Sequence, residues 1–188
     1  MEDLIDEAER LAAGGVKELI LVAQETTVYG TDLYGKKSLP DLLTRLCKIP
    51  GLCWIRILYC YPEEITEELV EVIRQEPKIC HYLDIPIQHS EDRILAAMGR
   101  RTNRKDLIRL IEYLRQEIPD IVLRTTLITG FPGETVEEAE ALLDFVDEME
   151  FDRLGVFTYS AEDGTRAALM EGQIPQEVKE ERRDKIMA

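Results

Sequence analysis

Five short runs of β-branched and aliphatic residues punctuate the chain: Val16–Gln24, Cys53–Cys60, Cys80–Gln88, Ile121–Thr129 and Leu154–Ser160. Their near-continuous apolar character, as in Leu19-Ile20-Leu21-Val22, predicts strands buried on both faces of a parallel sheet. Between the runs the apolar spacing becomes helical. Leu107, Leu110, Ile111 and Leu114 recur at i, i+3, i+4 and i+7, and Ala139, Leu142, Leu143 and Val146 do the same, so each set forms one buried stripe. Thr135 and Glu138 stand at capping-box spacing, Ser90 precedes the acidic start Glu91-Asp92, and Pro77 and Pro119 follow their helices closely.

The predicted order is helix, strand, helix, strand, helix, strand, two helices, strand, helix, strand and a last helix from about Pro175 onward. Such alternation implies right-handed βαβ crossovers and an α/β fold with a parallel sheet. Successive strands begin about 34 residues apart, close to the roughly 31 per unit of a (β/α)8 barrel. A barrel and a doubly wound open sheet both fit that spacing. The opening helix, Glu2–Ala13, brings apolar Leu4, Ile5, Ala8 and Leu11 that need a sheet to cover, with no strand before it. That favours a partial barrel lacking its first strand. With no repeat, low-complexity tract or interdomain linker, residues 1–188 read as one domain.

Charge narrows the function. The 188 residues carry 23 Lys and Arg against 38 Asp and Glu, a formal net charge of −15. Nucleic-acid binding draws on Lys and Arg that neutralise phosphates, so this balance argues against it. No apolar stretch is long enough to span a membrane, and the acidic opening MEDLIDEAER is unlike a signal peptide, which gives a cytoplasmic expectation. Cys47, Cys53, Cys60 and Cys80 are scattered and form no CxxC pair, so no metal ligands are expected among them.

In parallel α/β architectures functional groups gather where strands end. Gln24 and Glu25 end the first run, an amide and a carboxylate suited either to an ammonium ligand or to a solvated loop. Gln88 and His89 end the third; His89 reads as a general base or as a hydrogen-bonding histidine. Gly130-Phe131-Pro132-Gly133-Glu134 ends the fourth as a tight turn where backbone can approach a ligand, or as an ordinary βα turn. Arg124, inside an apolar strand, should point into the mouth and bind a carboxylate, or else pair with an internal acid. Arg100, Arg101, Arg104 and Lys105 form the one basic cluster, a solvated helix start or a contact for a phosphate or an acidic partner.

Taken together, three blocks resemble the radical S-adenosylmethionine methylthiotransferases: Tyr82 to Ser90 with Ile94-Leu95 and Met98-Gly99-Arg100, Arg124 to Thr135, and Phe157-Thr158-Tyr159-Ser160. Ala23 to Thr27 with Tyr29-Gly30, Leu83 to Pro86, and the tail Ile174 to Arg182 are similar to the branch that modifies an aspartate of a small-subunit ribosomal protein. The tRNA-modifying branch fits less well, and strong negative charge suits a basic protein target.

The resemblance implies a truncated radical S-adenosylmethionine core, a partial (β/α)6 barrel without its first strand. It also implies that the second-cluster domain before the core and the small β domain after it are missing. In the family the first strand leads into a CxxxCxxC loop holding a 4Fe–4S cluster, and that motif does not occur in this sequence. Position by position, Gln24 and Glu25 match the strand end that contacts the methionine amino group, and Gln88 and His89 line the cofactor pocket. Arg124 serves the carboxylate or ribose side. Gly130, Phe131 and Gly133 flank the adenine, and Phe157 and Tyr159 complete its pocket. The implied chemistry is hydrogen abstraction by a 5′-deoxyadenosyl radical followed by insertion of a methylthio group, which the chain should not perform alone. Two other expectations stand beside it: a barrel-like module that binds nucleotide or protein without catalysis, and an unrelated α/β enzyme with a phosphate site at Gly130–Glu134.

Overall fold

The computed structural model describes residues 1–188, which form two compact units. One comprises Met1–Ile85 with Tyr113–Leu123, the other Pro86–Glu112 with Arg124–Ala188.

The first unit holds α1 (Glu2–Ala13), β1 (Glu18–Leu21), the short α2 (Thr31–Tyr34), α3 (Leu39–Cys47), β2 (Trp54–Ile57), α4 (Glu67–Gln75) and β3 (Ile79–Asp84). α1 forms over the expected residues and buries Ile5 and Ala8 of its stripe together with Ala12, while Leu4 and Leu11 stay exposed; Glu2 and Asp3 at its start and Arg10 in its last turn complement the helix dipole. Pro40 in the first turn of α3 and the Thr66 side chain, which accepts from Leu69 N–H at 3.2 Å, start the next two helices. β1 pairs parallel to β2, and β2 parallel to β3. Leu19, Ile55 and Ile57 lie on one face of this sheet and are buried, as are Leu43 and Leu46 of α3 and Leu69 and Ile73 of α4.

The second unit holds α5 (Asp92–Ala97), the first part of α6 (Arg104–Glu117), β4 (Val122–Thr129) from Arg124 onward, α7 (Val136–Met149), β5 (Arg153–Thr158) and α8 (Gln176–Met187). β4 and β5 run parallel in register from Arg124↔Arg153 to Thr129↔Thr158. Thr135 and Glu138 close the expected capping box, and the α7 stripe centres on buried Leu142, Phe145 and Met149. Ser90 lies one residue further out than expected, since α5 begins at Asp92 behind Glu91.

The parallel crossovers are as the sequence predicts, but burial on both strand faces is not. β4 alternates: Leu123, Thr125, Leu127 and Thr129 are buried, while Arg124, Thr126 and Ile128 are half-exposed. In β1, Ile20 is 53% exposed and Val22 just beyond it 60%. The helices of each unit cover one sheet face, and the apolar run marks a second face that they leave open.

Candidate functional site

Parallel pairing brings the ends of β4 and β5 to one side, and Gln88 joins them there. Its N–H donates to Thr126 O at 3.0 Å and its carbonyl accepts from Ile128 N–H at 2.8 Å, a one-residue parallel bridge onto β4. To make both bonds Gln88 adopts φ +71°, a left-handed conformation that a non-glycine residue enters at a cost of about 1 kcal/mol or more. Its amide oxygen Oε1 is shut off from water and has no hydrogen-bond partner. A buried acceptor left open at a strained strand end is a group waiting for a donor.

The turn after β4 is tightly bonded. Gly130 (φ +74°) donates its N–H to Glu134 Oε2 at 2.9 Å. Gly133 (φ +80°) donates to Gly172 O at 2.9 Å and accepts from Arg93 Nη2 at 2.7 Å. Two of the amides an anion would need are therefore committed, one of them to a carboxylate, which removes the chemistry of a phosphate cradle.

Glu134 is the centre of the turn. Oε1 accepts from Arg182 Nη1 at 2.6 Å, and Oε2 faces His89 Nε2 at 3.4 Å, both within a side-chain environment closed to solvent. The other ring nitrogen of His89, Nδ1, accepts from Glu91 N–H at 3.0 Å. His89 is thus enclosed and braces the corner rather than lining an open surface.

α8 supplies the other support. Buried Lys179 donates from Nζ to Tyr159 O at 2.9 Å and lies 4.9 Å from the Tyr159 ring centroid, while its carbonyl accepts from Thr129 Oγ1 at 3.2 Å. Its stem fills the place where a Gly130 Cβ would stand, with Lys179 Cγ the nearest atom. Glu134 entered the sequence reading only as the last residue of the turn; Lys179 and Arg182 are absent from the sequence-derived site. Their signal is the composition of α8, which lacks an apolar stripe and so must dock by other means.

The aromatic residues divide. Phe131 and Tyr159 form an edge-to-face pair at 5.4 Å, buried against Ile94. Phe157 stands apart on the open face, 60% exposed, in register with Ile128 and beside the side-chain-free Gly155. Phe157 is the aromatic surface available to a ligand; Phe131 and Tyr159 shape the wall behind the turn.

Arg124 is not at the strand end. It opposes Arg153 at the start of β5, five residues before Thr129, or about 16 Å back along the strand. The basic cluster is likewise tied down: Arg104 Nη1 meets Glu91 at 3.0 Å and Ser90 at 3.3 Å, and Arg100 donates to Pro86 O at 3.1 Å.

In the first unit, Gln24 is exposed beyond β1. Glu25 turns back on its own loop: Oε1 accepts from the Thr27 N–H at 2.9 Å and from the Thr27 hydroxyl, and Oε2 from Tyr61 N–H at 2.9 Å. Burial raises its pKa above the ordinary carboxylate value despite those bonds. Leu4, Leu11, Ile20 and Val22 line a cavity of about 340 Å³ beside β1.

The radical SAM family model matches residues 1–146. The chain belongs to the radical SAM superfamily. It is 64% identical over 187 residues to the ribosomal protein uS12 methylthiotransferase RimO of Lachnoclostridium phytofermentans, and 54% identical over 186 residues to the protein of the same name from Clostridium botulinum strain Hall. These matches take in 100% and 99% of this chain but 42% of each relative's length. They bear out the family resemblance read from the sequence. Among solved structures, coproporphyrinogen III oxidase (HemN) from Escherichia coli, described as a radical SAM enzyme, aligns with TM-score 0.66 at 18% identity over 99% of this chain and 43% of its own. The radical SAM methyltransferase TsrM from Kitasatospora setae aligns with TM-score 0.65 at 21% identity over 84% of this chain and 30% of its own. The α/β radical SAM fold is thereby established.

Radical SAM proteins use S-adenosylmethionine and a 4Fe–4S cluster, and the two fit these residues differently. No group of three His, Cys, Asp or Glu side chains gathers here as a metal site. Burial pushes the Cys47 thiol up to about 11 and the enclosed Cys60 thiol higher still, so neither is poised as a thiolate ligand. The donor set does not fit a cluster. The unpartnered Gln88 Oε1 and the exposed Phe157 ring beside Ile128 do fit an adenosyl amino acid, which offers an ammonium donor and an aromatic ring.

Proposed function

We propose that this chain supplies the S-adenosylmethionine-binding wall of a methylthiotransferase acting on an aspartate of ribosomal protein uS12. The observation that carries the reading is whole-chain identity to bacterial enzymes bearing that name. The chain spans 42% of their length, and its own residues are assigned binding and orientation. Gln88 Oε1 accepts from the ligand's ammonium or a ribose hydroxyl. The Phe157 face takes the adenine ring, a stacking contact worth about 1–3 kcal/mol. Gly130 and Gly133 hold the turn close behind, with Phe131 and Tyr159 backing it; Glu134 and His89 keep the corner in shape. Gln24, Glu25 and Arg124 are assigned no contact with the ligand. Radical formation requires the cluster, and no step through one is given to these residues, whose donors do not fit it.

The net charge of −15 suits a basic protein substrate, whose approach it would steer. No helix is long and apolar enough to cross a membrane, in keeping with work on ribosomal proteins in the cytoplasm.

Two measurements test the reading. Calorimetric titration of the 188-residue chain with S-adenosylhomocysteine should give weak, saturable heat that Gln88→Ala and Phe157→Ala each reduce; a folded chain giving no heat at millimolar ligand overturns the binding assignment. Replacing the matching segment of the Lachnoclostridium phytofermentans enzyme with this chain, reconstituting the cluster and examining uS12 by mass spectrometry should reveal one added methylthio group. A chimera that loads its cluster and leaves uS12 unchanged while modifying tRNA places the chain in the other branch.

A further inference from the structure

α8 docks through cations. Its buried residues are Lys179 and Ile186, and the two groups that reach the turn after β4 are Lys179 and Arg182, three residues apart on one helical face. A helix that buries a lysine and nearly buries an arginine without an apolar stripe gains little from the hydrophobic effect at that contact, so the charges must be matched by what they touch. They are: Arg182 by the Glu134 carboxylate at 2.6 Å and the Glu134 carbonyl at 3.1 Å, Lys179 by the Tyr159 carbonyl and ring. The same Glu134 carboxylate holds Gly130 N–H, and the Lys179 stem fills the space that a side chain at Gly130 would occupy.

We propose that Lys179 and Arg182 are positioning residues for nucleotide binding: they act on the Gly130–Glu134 turn and through it on the ligand, without touching the ligand. The inference rests on the reading of this turn as the wall of the adenosyl site, and assigns α8 the task of fixing that wall. Arg182 fixes Glu134, Glu134 fixes the Gly130 amide, and Lys179 closes the back of Gly130 and anchors the Tyr159 carbonyl at the end of β5. Loss of either cation frees the turn while the rest of the chain keeps its core.

The test compares the 188-residue chain with Arg182→Gln, Arg182→Lys, Lys179→Met and the control Arg183→Gln, whose side chain pairs with Asp184 at the surface. S-adenosylhomocysteine affinity is read by calorimetry, and amide hydrogen exchange at Gly130 and Gly133 reports the turn independently of ligand. Arg182→Gln and Lys179→Met should each weaken binding by about fivefold or more and speed exchange of the Gly130 amide, with Arg182→Lys recovering part of both and Arg183→Gln changing neither. Gly130→Ala should bind worse than Gly130→Ala combined with Lys179→Ala, because removing the stem makes room for the new methyl group. If the parent chain binds and the two variants fold and bind equally well, the positioning role is overturned whatever their exchange rates. If the parent chain itself does not bind, the site reading falls, and this inference with it.

Discussion

His89 Nε2 faces Glu134 Oε2 across 3.4 Å, and both side chains are fully enclosed. Because Glu134 also carries Arg182, the carboxylate is the group on which a buried cation depends. Glu134→Ala should therefore destabilise the chain by about 3 kcal/mol, the range for leaving one member of a buried ion pair uncompensated. Glu134→Gln, which still accepts from Gly130 N–H, should lose roughly half as much. Urea denaturation of both variants decides it, and equal losses would mean that the charge is immaterial.

The capping box of α7 offers a smaller, cleaner effect. Thr135 Oγ1 accepts from Glu138 N–H at 3.2 Å and Glu138 Oε2 from Thr135 N–H at 2.9 Å. Thr135→Ala should cost about 1 kcal/mol, and Thr135→Ser should stay within a few tenths of the parent. A Thr135→Ala variant with an unshifted melting curve would show that Arg93, bonded to Glu138 at 2.8 Å, holds the helix start unaided.

Thiol reactivity follows the burial of the four cysteines. Cys53 is exposed; Cys47 and Cys60 are buried with raised pKa values, and Cys80 is raised by burial in spite of Arg56 nearby. At neutral pH a disulfide exchange reagent should consume Cys53 quickly and the other three only after urea is added. Rapid modification of Cys60 in the folded chain would contradict its enclosure.

Glu25 sets a pH dependence of definite sign. Burial holds its folded pKa above the ordinary carboxylate value of about 4.5, so the native state binds the proton more tightly than the unfolded chain. As pH rises from about 4.5 through the raised folded value, the parent chain loses stability at this site, and above that value the loss is complete. Glu25→Gln removes the titration and, since an amide nitrogen cannot accept from Tyr61 N–H, is expected to be the less stable protein at acid pH. The gap between the two should narrow as pH rises to neutrality. A gap that widens instead would reverse the assigned sign.

How far the sequence carries depends on where the deciding contact lies. The parallel strands, their order and the α1 and α7 helices were legible because each follows from spacing within a dozen residues. Burial of β1 was not, since Leu19-Ile20-Leu21-Val22 reads alike whether one face or both are covered. His89 and the turn glycines were found as strand-end residues, yet Arg182, which holds the Glu134 carboxylate they face, lies 48 positions beyond Glu134 on a helix whose polar composition imitates a solvated surface. Arg124 shows a related limit: a charge in an apolar strand marks an unusual place, and only the register with Arg153 shows at what depth.

Gly133 and Gly172 meet backbone to backbone. A methyl group on Gly172 would come within 3.2 Å of the Gly133 Cα and N. Gly172 cannot acquire a side chain unless the Gly133 backbone gives way, and Gly133 is held to glycine by its φ of +80°, so the two positions constrain one turn even though they lie far apart in the chain. Any effort to reshape the turn for a bulkier nucleotide must redesign the segment around Gly172 in the same step.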